Sequence, residues 1–161
     1  MNLIKALIVE DEKPARTRLT NCLGREPDVE IVGIARDGRE AVSQIRALSP
    51  NLLLLDVQMP SLDGFGVLEQ VGRDAMPLTI FVTAHDSHAI HAFEAHAVDY
   101  LLKPFSDERF RAAIRQAREY LAVRATRSHI PADPSEGAQT DARELQGKHL
   151  ERIALRTNGR I

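Results

Sequence analysis

The run Leu52-Leu53-Leu54-Leu55-Asp56, followed at once by Val57-Gln58-Met59-Pro60, decides the architecture of this chain. Four leucines with no polar partner read as a strand buried on both faces, the kind found at the centre of a parallel sheet. Asp56 then stands at the carboxyl end of that strand. In an open α/β sheet this is the edge where ligands bind, so the carboxylate is a site candidate.

The sequence on either side repeats the pattern. Before the run, residues 4–9 read as a first strand that ends at Glu10-Asp11-Glu12. Pro14 suits the first turn of a helix reaching about Gly24, because its missing N–H costs nothing there. Residues 29–35 form a second strand and Asp37-Gly38 a turn. Ala41, Val42, Ile45 and Leu48 make the inner stripe of a second helix that Ser49-Pro50-Asn51 breaks. After the run, the loop Met59-Pro60-Ser61-Leu62-Asp63-Gly64 leads to a third helix through Val67, Leu68 and Val71. Residues 78–83 are a fourth strand, 86–95 a fourth helix and 98–102 a fifth strand. Ser106 caps a last helix whose apolar side is Phe110, Ala113, Ile114, Ala117 and Leu121. Five strands alternating with five helices predict an α/β fold, a doubly wound parallel sheet with helices on both faces.

Composition sets the limits. The 161 residues suffice for one domain and part of another. Hydrophobic residues make up 43% and aromatic ones only 4%, so aliphatic side chains must build the core. A net charge of -2 neither demands nor excludes nucleic acid. No apolar run approaches the ~20 residues of a membrane span, and the first residues lack the layout of a signal peptide. A cytoplasmic chain with no membrane partner is the expectation. Cys22 is the only cysteine, which excludes an internal disulfide and a thiolate metal cluster; on one helical face with Ala15, Leu19 and Leu23, it reads as a core residue.

The strand ends carry the chemistry. Glu10-Asp11, Asp56, Thr83 and Lys103 converge on one edge of the predicted sheet. Carboxylates held that close repel one another, and without a cation at least one takes up a proton. A hard divalent ion with oxygen ligands removes the conflict, and Mg²⁺ fits a site of one or two carboxylates, waters and a phosphate. Lys103 and Thr83 supply donors to phosphoryl oxygens. The set asks for phosphoryl transfer to a carboxylate, with Asp56 as the nucleophile.

With these residues in place, the chain resembles the receiver domain of bacterial two-component response regulators. The resemblance rests on Val9-Glu10-Asp11-Glu12, on Leu55-Asp56-Val57-Gln58-Met59-Pro60 with Asp63-Gly64, on Val82-Thr83-Ala84, and on Asp99-Tyr100-Leu101-Leu102-Lys103-Pro104-Phe105. It covers residues 1–123 and implies a flavodoxin-like sheet of strand order 2-1-3-4-5. It also implies that Asp56 accepts phosphate from a sensor histidine kinase. Asp11, Asp56 and the backbone carbonyl of Gln58 would ligate Mg²⁺, and Glu10, where many relatives have Asp, would act through water. Lys103 and Ala84 would meet the phosphoryl group, and Thr83 and Tyr100 would form the switch pair. A cis bond before Pro104 would aim Lys103 into the site. Gln58 and His85 would flank the path of the water that removes the phosphoryl group.

Residues 88–105 look like receivers of the LytTR (LytR/AlgR) group. Residues 124–147 hold prolines, serine, aspartate and glycine with few large apolar residues, and read as a linker. From 148 the chain resembles the opening of a LytTR DNA-binding domain, with a strand at 150–156 and a hairpin signal at Asn158-Gly159. The resemblance therefore implies transcription control at promoter DNA. A phosphorylation-dependent homodimer through the fourth helix, fifth strand and last helix is also expected, with Asp99 or Glu94 of one chain set against Arg111, Arg115 and Arg118 of the other. His85, His88, His91 and His96 carry too few carboxylate neighbours for a metal site. Two alternatives stand beside this reading. One is a stand-alone receiver; the other is an aspartyl-phosphate phosphohydrolase, which usually carries a second Asp where this chain has Gln58. With Gln58 there, the chain is expected to be no enzyme beyond its own phosphorylation and dephosphorylation.

Overall fold

A computed structural model describes residues 3–84 and 97–128. Five parallel strands form one sheet: β1 Ile4–Val9, β2 Val29–Ala35, β3 Leu52–Asp56, β4 Leu78–Thr83 and β5 Asp99–Leu102. Their order is β2-β1-β3-β4-β5, the flavodoxin-like order expected from the sequence. Every residue of β3 is buried, as an unbroken apolar run at the sheet centre requires. Register carries the site: Val9 pairs with Leu55 and Asp56 with Val82, so the residues that follow β1 emerge level with the end of β3. The strand order reverses between β1 and β3, which opens a crevice at their carboxyl ends.

The connecting helices are α1 Lys13–Gly24, α2 Gly38–Leu48 and α3 Gly64–Val71, with a 3₁₀ turn at Arg73–Ala75; α4, Asp107–Ser128, follows β5. Each start has a local cause. Pro14 lies in the first turn of α1; Asp37 accepts from the Glu40 N–H at 2.8 Å, Asp63 from Gly66 at 2.8 Å and the Ser106 hydroxyl from Arg109 at 3.1 Å. Leu7, Val9, Leu53 and Leu55 pack with Ala41, Val42, Ile45 and Val67 on one side of the sheet. The alternate strand residues Ala6, Ile8, Leu52 and Leu54 are equally buried, as are Leu19 and Leu23 of α1 and Phe110, Ile114 and Ala117 of α4. Burial of a leucine is worth about 1.5–3 kcal/mol, so β3 alone anchors much of the core.

Two differences from the sequence reading concern the ends. The last helix continues to Ser128, five residues into the expected linker, because residues 119–127 contain neither proline nor glycine to stop it. The compact unit that carries the sheet ends at Arg118. The expected fourth helix at 86–95, His85, His88, His91, His96 and Glu94, and the expected strand and hairpin after 148 lie outside the described residues. Among the described residues no helix is long and apolar enough to cross a membrane.

Candidate functional site

The turn between β1 and α1, the end of β3 and the turn after β5 meet at the crevice. Carboxylate oxygens of Glu10, Asp11 and Asp56 all lie within 4.8 Å of one another. Glu10 is wholly buried and Asp56 is 5% exposed. The Lys103 ammonium donates to Glu10 Oε2 at 2.6 Å and lies 3.6 Å from Asp56 Oδ2. The Glu12 N–H donates to Glu10 Oε1 at 3.2 Å, and the Gln58 N–H to Asp56 Oδ1 at 3.1 Å. One oxygen, Asp11 Oδ1, is buried without a hydrogen-bond partner.

Burial first, then the charge of Glu10, pushes the Asp56 carboxyl up to about 7 from its ordinary 3.8; the Lys103 ammonium and the Gln58 N–H only partly oppose them. Burial draws the Lys103 ammonium down, but the hydrogen bond to Glu10 and the charge of Asp56 outweigh it and leave its pKa raised. Three carboxylates, one ammonium and an orphaned acceptor form a set with excess negative charge. Such a donor set suits a hard cation with oxygen ligands.

Local sequence explains the placement. Gly64 lets the start of α3 approach β3, since a Cβ there would stand 2.8 Å from the Asp56 carbonyl and 3.1 Å from Val57 Cα. The Gly64 N–H closes the loop on the Val57 carbonyl at 3.0 Å. At the other side, Lys103 N–H donates to the Thr83 carbonyl at 2.7 Å, and the Lys103–Pro104 bond is cis. Thr83 is fully buried, while Ala84 beside it is exposed. Tyr100 is buried too, with Phe81, Val57 and Ala97 in the same apolar cluster.

Two residues of the expected dimer face are engaged within their own chain. Asp99 is buried and held by Arg109 of its own chain, at 2.7 and 2.8 Å, and Arg109 also reaches the Tyr100 carbonyl at 3.1 Å. Arg118 grips both oxygens of Asp28 at 2.6 and 2.7 Å and also bonds Glu26. Sequence shows a surplus of arginines in the last helix; which of them reach an acid of their own chain depends on the helix phase against β5 and the α1–β2 turn. Arg111 and Arg115 remain exposed.

Arg16 was absent from the expected site. Its Nη1 donates to the carbonyls of both Glu10 and Asp11, at 3.1 and 2.8 Å. The only trace in the sequence is an arginine in the opening turns of the helix that follows the acidic pair.

Comparison with known proteins agrees with this geometry. The response regulator receiver domain family matches residues 6–115. The transcriptional regulatory protein BtsR of Salmonella typhi is 40% identical over 117 residues, 73% of this chain and 49% of its own length. A response regulatory protein of Vibrio cholerae is 34% identical over 153 residues, 95% of this chain and 61% of its own. The chain spans about half the length of most of the curated relatives it matches. The crystallised receiver domain of AraT, a response regulator of Geobacillus stearothermophilus, superposes with a TM-score of 0.70 at 30% identity, covering 76% of this chain and 98% of its own. With the sheet order, the acidic crevice and the family match over residues 6–115 in agreement, the chain belongs to the receiver domains of two-component response regulators.

Proposed function

We propose that Asp56 receives a phosphoryl group from the phosphohistidine of a sensor histidine kinase, with Mg²⁺ held in the acidic cluster, and that this controls transcription through a LytTR-type DNA-binding domain. The observation that carries the reading is a buried Asp56 beside Glu10 and Asp11, all within 4.8 Å, with the Lys103 ammonium 3.6 Å away. An Asp56 oxygen attacks phosphorus, the phosphorus–nitrogen bond breaks, and the electron pair leaves with the imidazole. The product is an acyl phosphate, which water later hydrolyses to restore the carboxylate.

Asp11, Asp56 and the Gln58 carbonyl would hold the ion directly and Glu10 through water. When bound, Mg²⁺ neutralises charge on the carboxylates and the phosphoryl oxygens. Lys103 supplies an ammonium to a phosphoryl oxygen; of its three N–H groups one meets Glu10 at 2.6 Å. Thr83 and Tyr100 then report the phosphoryl group to the face of β5 and α4. Two copies pair through that face, to which Arg111 and Arg115 contribute exposed charge. Gln58 and His85 tune the lifetime of the acyl phosphate. With Gln58 in place of a second Asp, the chain turns over only its own phosphoryl group.

The likeness to the Vibrio cholerae protein covers 95% of this chain but 61% of that protein, so that relative carries further sequence, as a receiver joined to an effector does. The name of the Salmonella relative, a transcriptional regulatory protein, favours promoter DNA as the target. Incubation with acetyl phosphate and Mg²⁺ tests the reading by intact mass. One added phosphoryl group is expected, lost on chelation and absent in Asp56→Asn. Equal labelling of that variant rejects Asp56 as the acceptor.

A further inference from the structure

We infer that Arg16 is a positioning residue for the cation: it fixes the backbone from which Glu10 and Asp11 project and so holds Asp11 ready to ligate. The inference rests on the proposed Mg²⁺ site. Its starting point is the choice of acceptor. An arginine bound to a turn that carries two acidic residues ordinarily forks onto a carboxylate, because charged hydrogen bonds are the stronger ones. Arg16 instead turns Nη1 to two main-chain carbonyls, Glu10 O at 3.1 Å and Asp11 O at 2.8 Å. Among the described residues no ion pair joins it to an acid.

This choice has two effects on the cluster. The guanidinium pins two consecutive peptide units, which sets the direction of both side chains. It also leaves the carboxylate oxygens to other partners, whereas an Arg–carboxylate fork would compete with a cation for the same lone pairs. The second observation is the state of Asp11. Its Oδ1 is buried with no partner, a condition that costs free energy and that a mobile loop would relieve by turning the side chain to water. The turn is held from both ends. The Arg16 N–H starts α1 on the Glu12 carbonyl at 2.9 Å, and the same residue's side chain reaches back to the two residues before it. Glu12, the residue before α1, makes no side-chain cap, so among the described contacts it is the Arg16 side chain that ties the turn to the helix.

Groups behind metal ligands commonly change metal affinity by 10- to 100-fold when removed. The test is calorimetric titration of the full chain with Mg²⁺, alongside chemical denaturation without the ion, for wild type, Arg16→Ala, Arg16→Lys and Asp11→Asn. The expected result is a Kd raised at least about tenfold in Arg16→Ala, with the ion-free fold retained. A purely structural role would lower ion-free stability and leave the affinity of the folded fraction unchanged, and that pattern overturns the inference. Should Arg16→Ala not fold, Arg16→Lys is judged by the same Kd; failure of both to fold also overturns it, as it assigns Arg16 to folding alone. Asp11→Asn separates the two levels. If it binds Mg²⁺ like wild type, the cation site itself is refuted. If it loses the ion while both Arg16 variants keep it, only the role of Arg16 falls.

Discussion

At the scale of single residues, Asp56 links stability to pH. Its folded pKa near 7 lies above the ordinary 3.8, so between those values the folded chain keeps a proton that the unfolded chain has lost. Stability therefore falls as pH rises through that window, in the opposite sense to a salt-bridged carboxylate, and the loss is complete above the folded pKa. Without Mg²⁺, Asp56→Asn should be more stable than wild type at pH 8 by about 2–4 kcal/mol and nearly equal to it at pH 4. Urea titrations at the two pH values check this; an equal offset at both rejects it. Two serines offer a simpler test. Ser49, which ends α2, has φ 47°, and Ser61, in the loop after β3, has φ 71°, the left-handed region that suits glycine. Ser49→Gly and Ser61→Gly should each raise the unfolding free energy by about 0.5–1 kcal/mol, read from the shift of the urea midpoint, where glycine inside a helix would lower it.

At the scale of elements, β3 was legible because its four leucines leave no other reading, and the other strands because short apolar runs ended at turn residues. The acidic ends of β1 and β3 could be placed together from strand order alone. What sequence does not carry is side-chain reach. Arg16 acts on main-chain carbonyls, which every residue has, so nothing in its neighbours announces the contact. Arg109 and Arg118 look like Arg111 and Arg115 until the helix phase is known. The Arg118 grip on Asp28 joins α4 to the turn before β2, and it depresses the Asp28 carboxyl below its usual range through that hydrogen bond. The stability it gives is thus present at neutral pH and lost as pH falls through the folded pKa of Asp28. Arg118→Ala should destabilise the receiver by about 1 kcal/mol, since the pair is partly solvent-exposed. Leu54→Ala, in the middle of β3, should cost about 2–5 kcal/mol. Equal losses for the two would show that the core does not dominate.

For the whole molecule, the inward pairing of Asp99 with Arg109 changes what a dimer can use. Asp99 is buried in a two-point contact with Arg109, so among the described residues of that face Arg111 and Arg115 are the exposed charges that could orient a partner. Rim pairs give direction more than affinity. Sedimentation of the full chain with beryllofluoride and Mg²⁺ should show a dimer that Arg111→Glu and Arg115→Glu together weaken; an unchanged mass on activation rejects the dimer.

The bond between Lys103 and Glu10 joins positions 93 residues apart. A ribosome releases the β1 end first, then Asp56, and Lys103 only after β4 and β5 have been made. For much of its synthesis the nascent chain thus carries Glu10 and Asp56 without the ammonium that faces them, and with the central strand still unflanked on one side. The acidic crevice gains its ammonium only with the docking of the last strand, so the repulsion among its carboxylates is the last strain of the nascent sheet to be relieved.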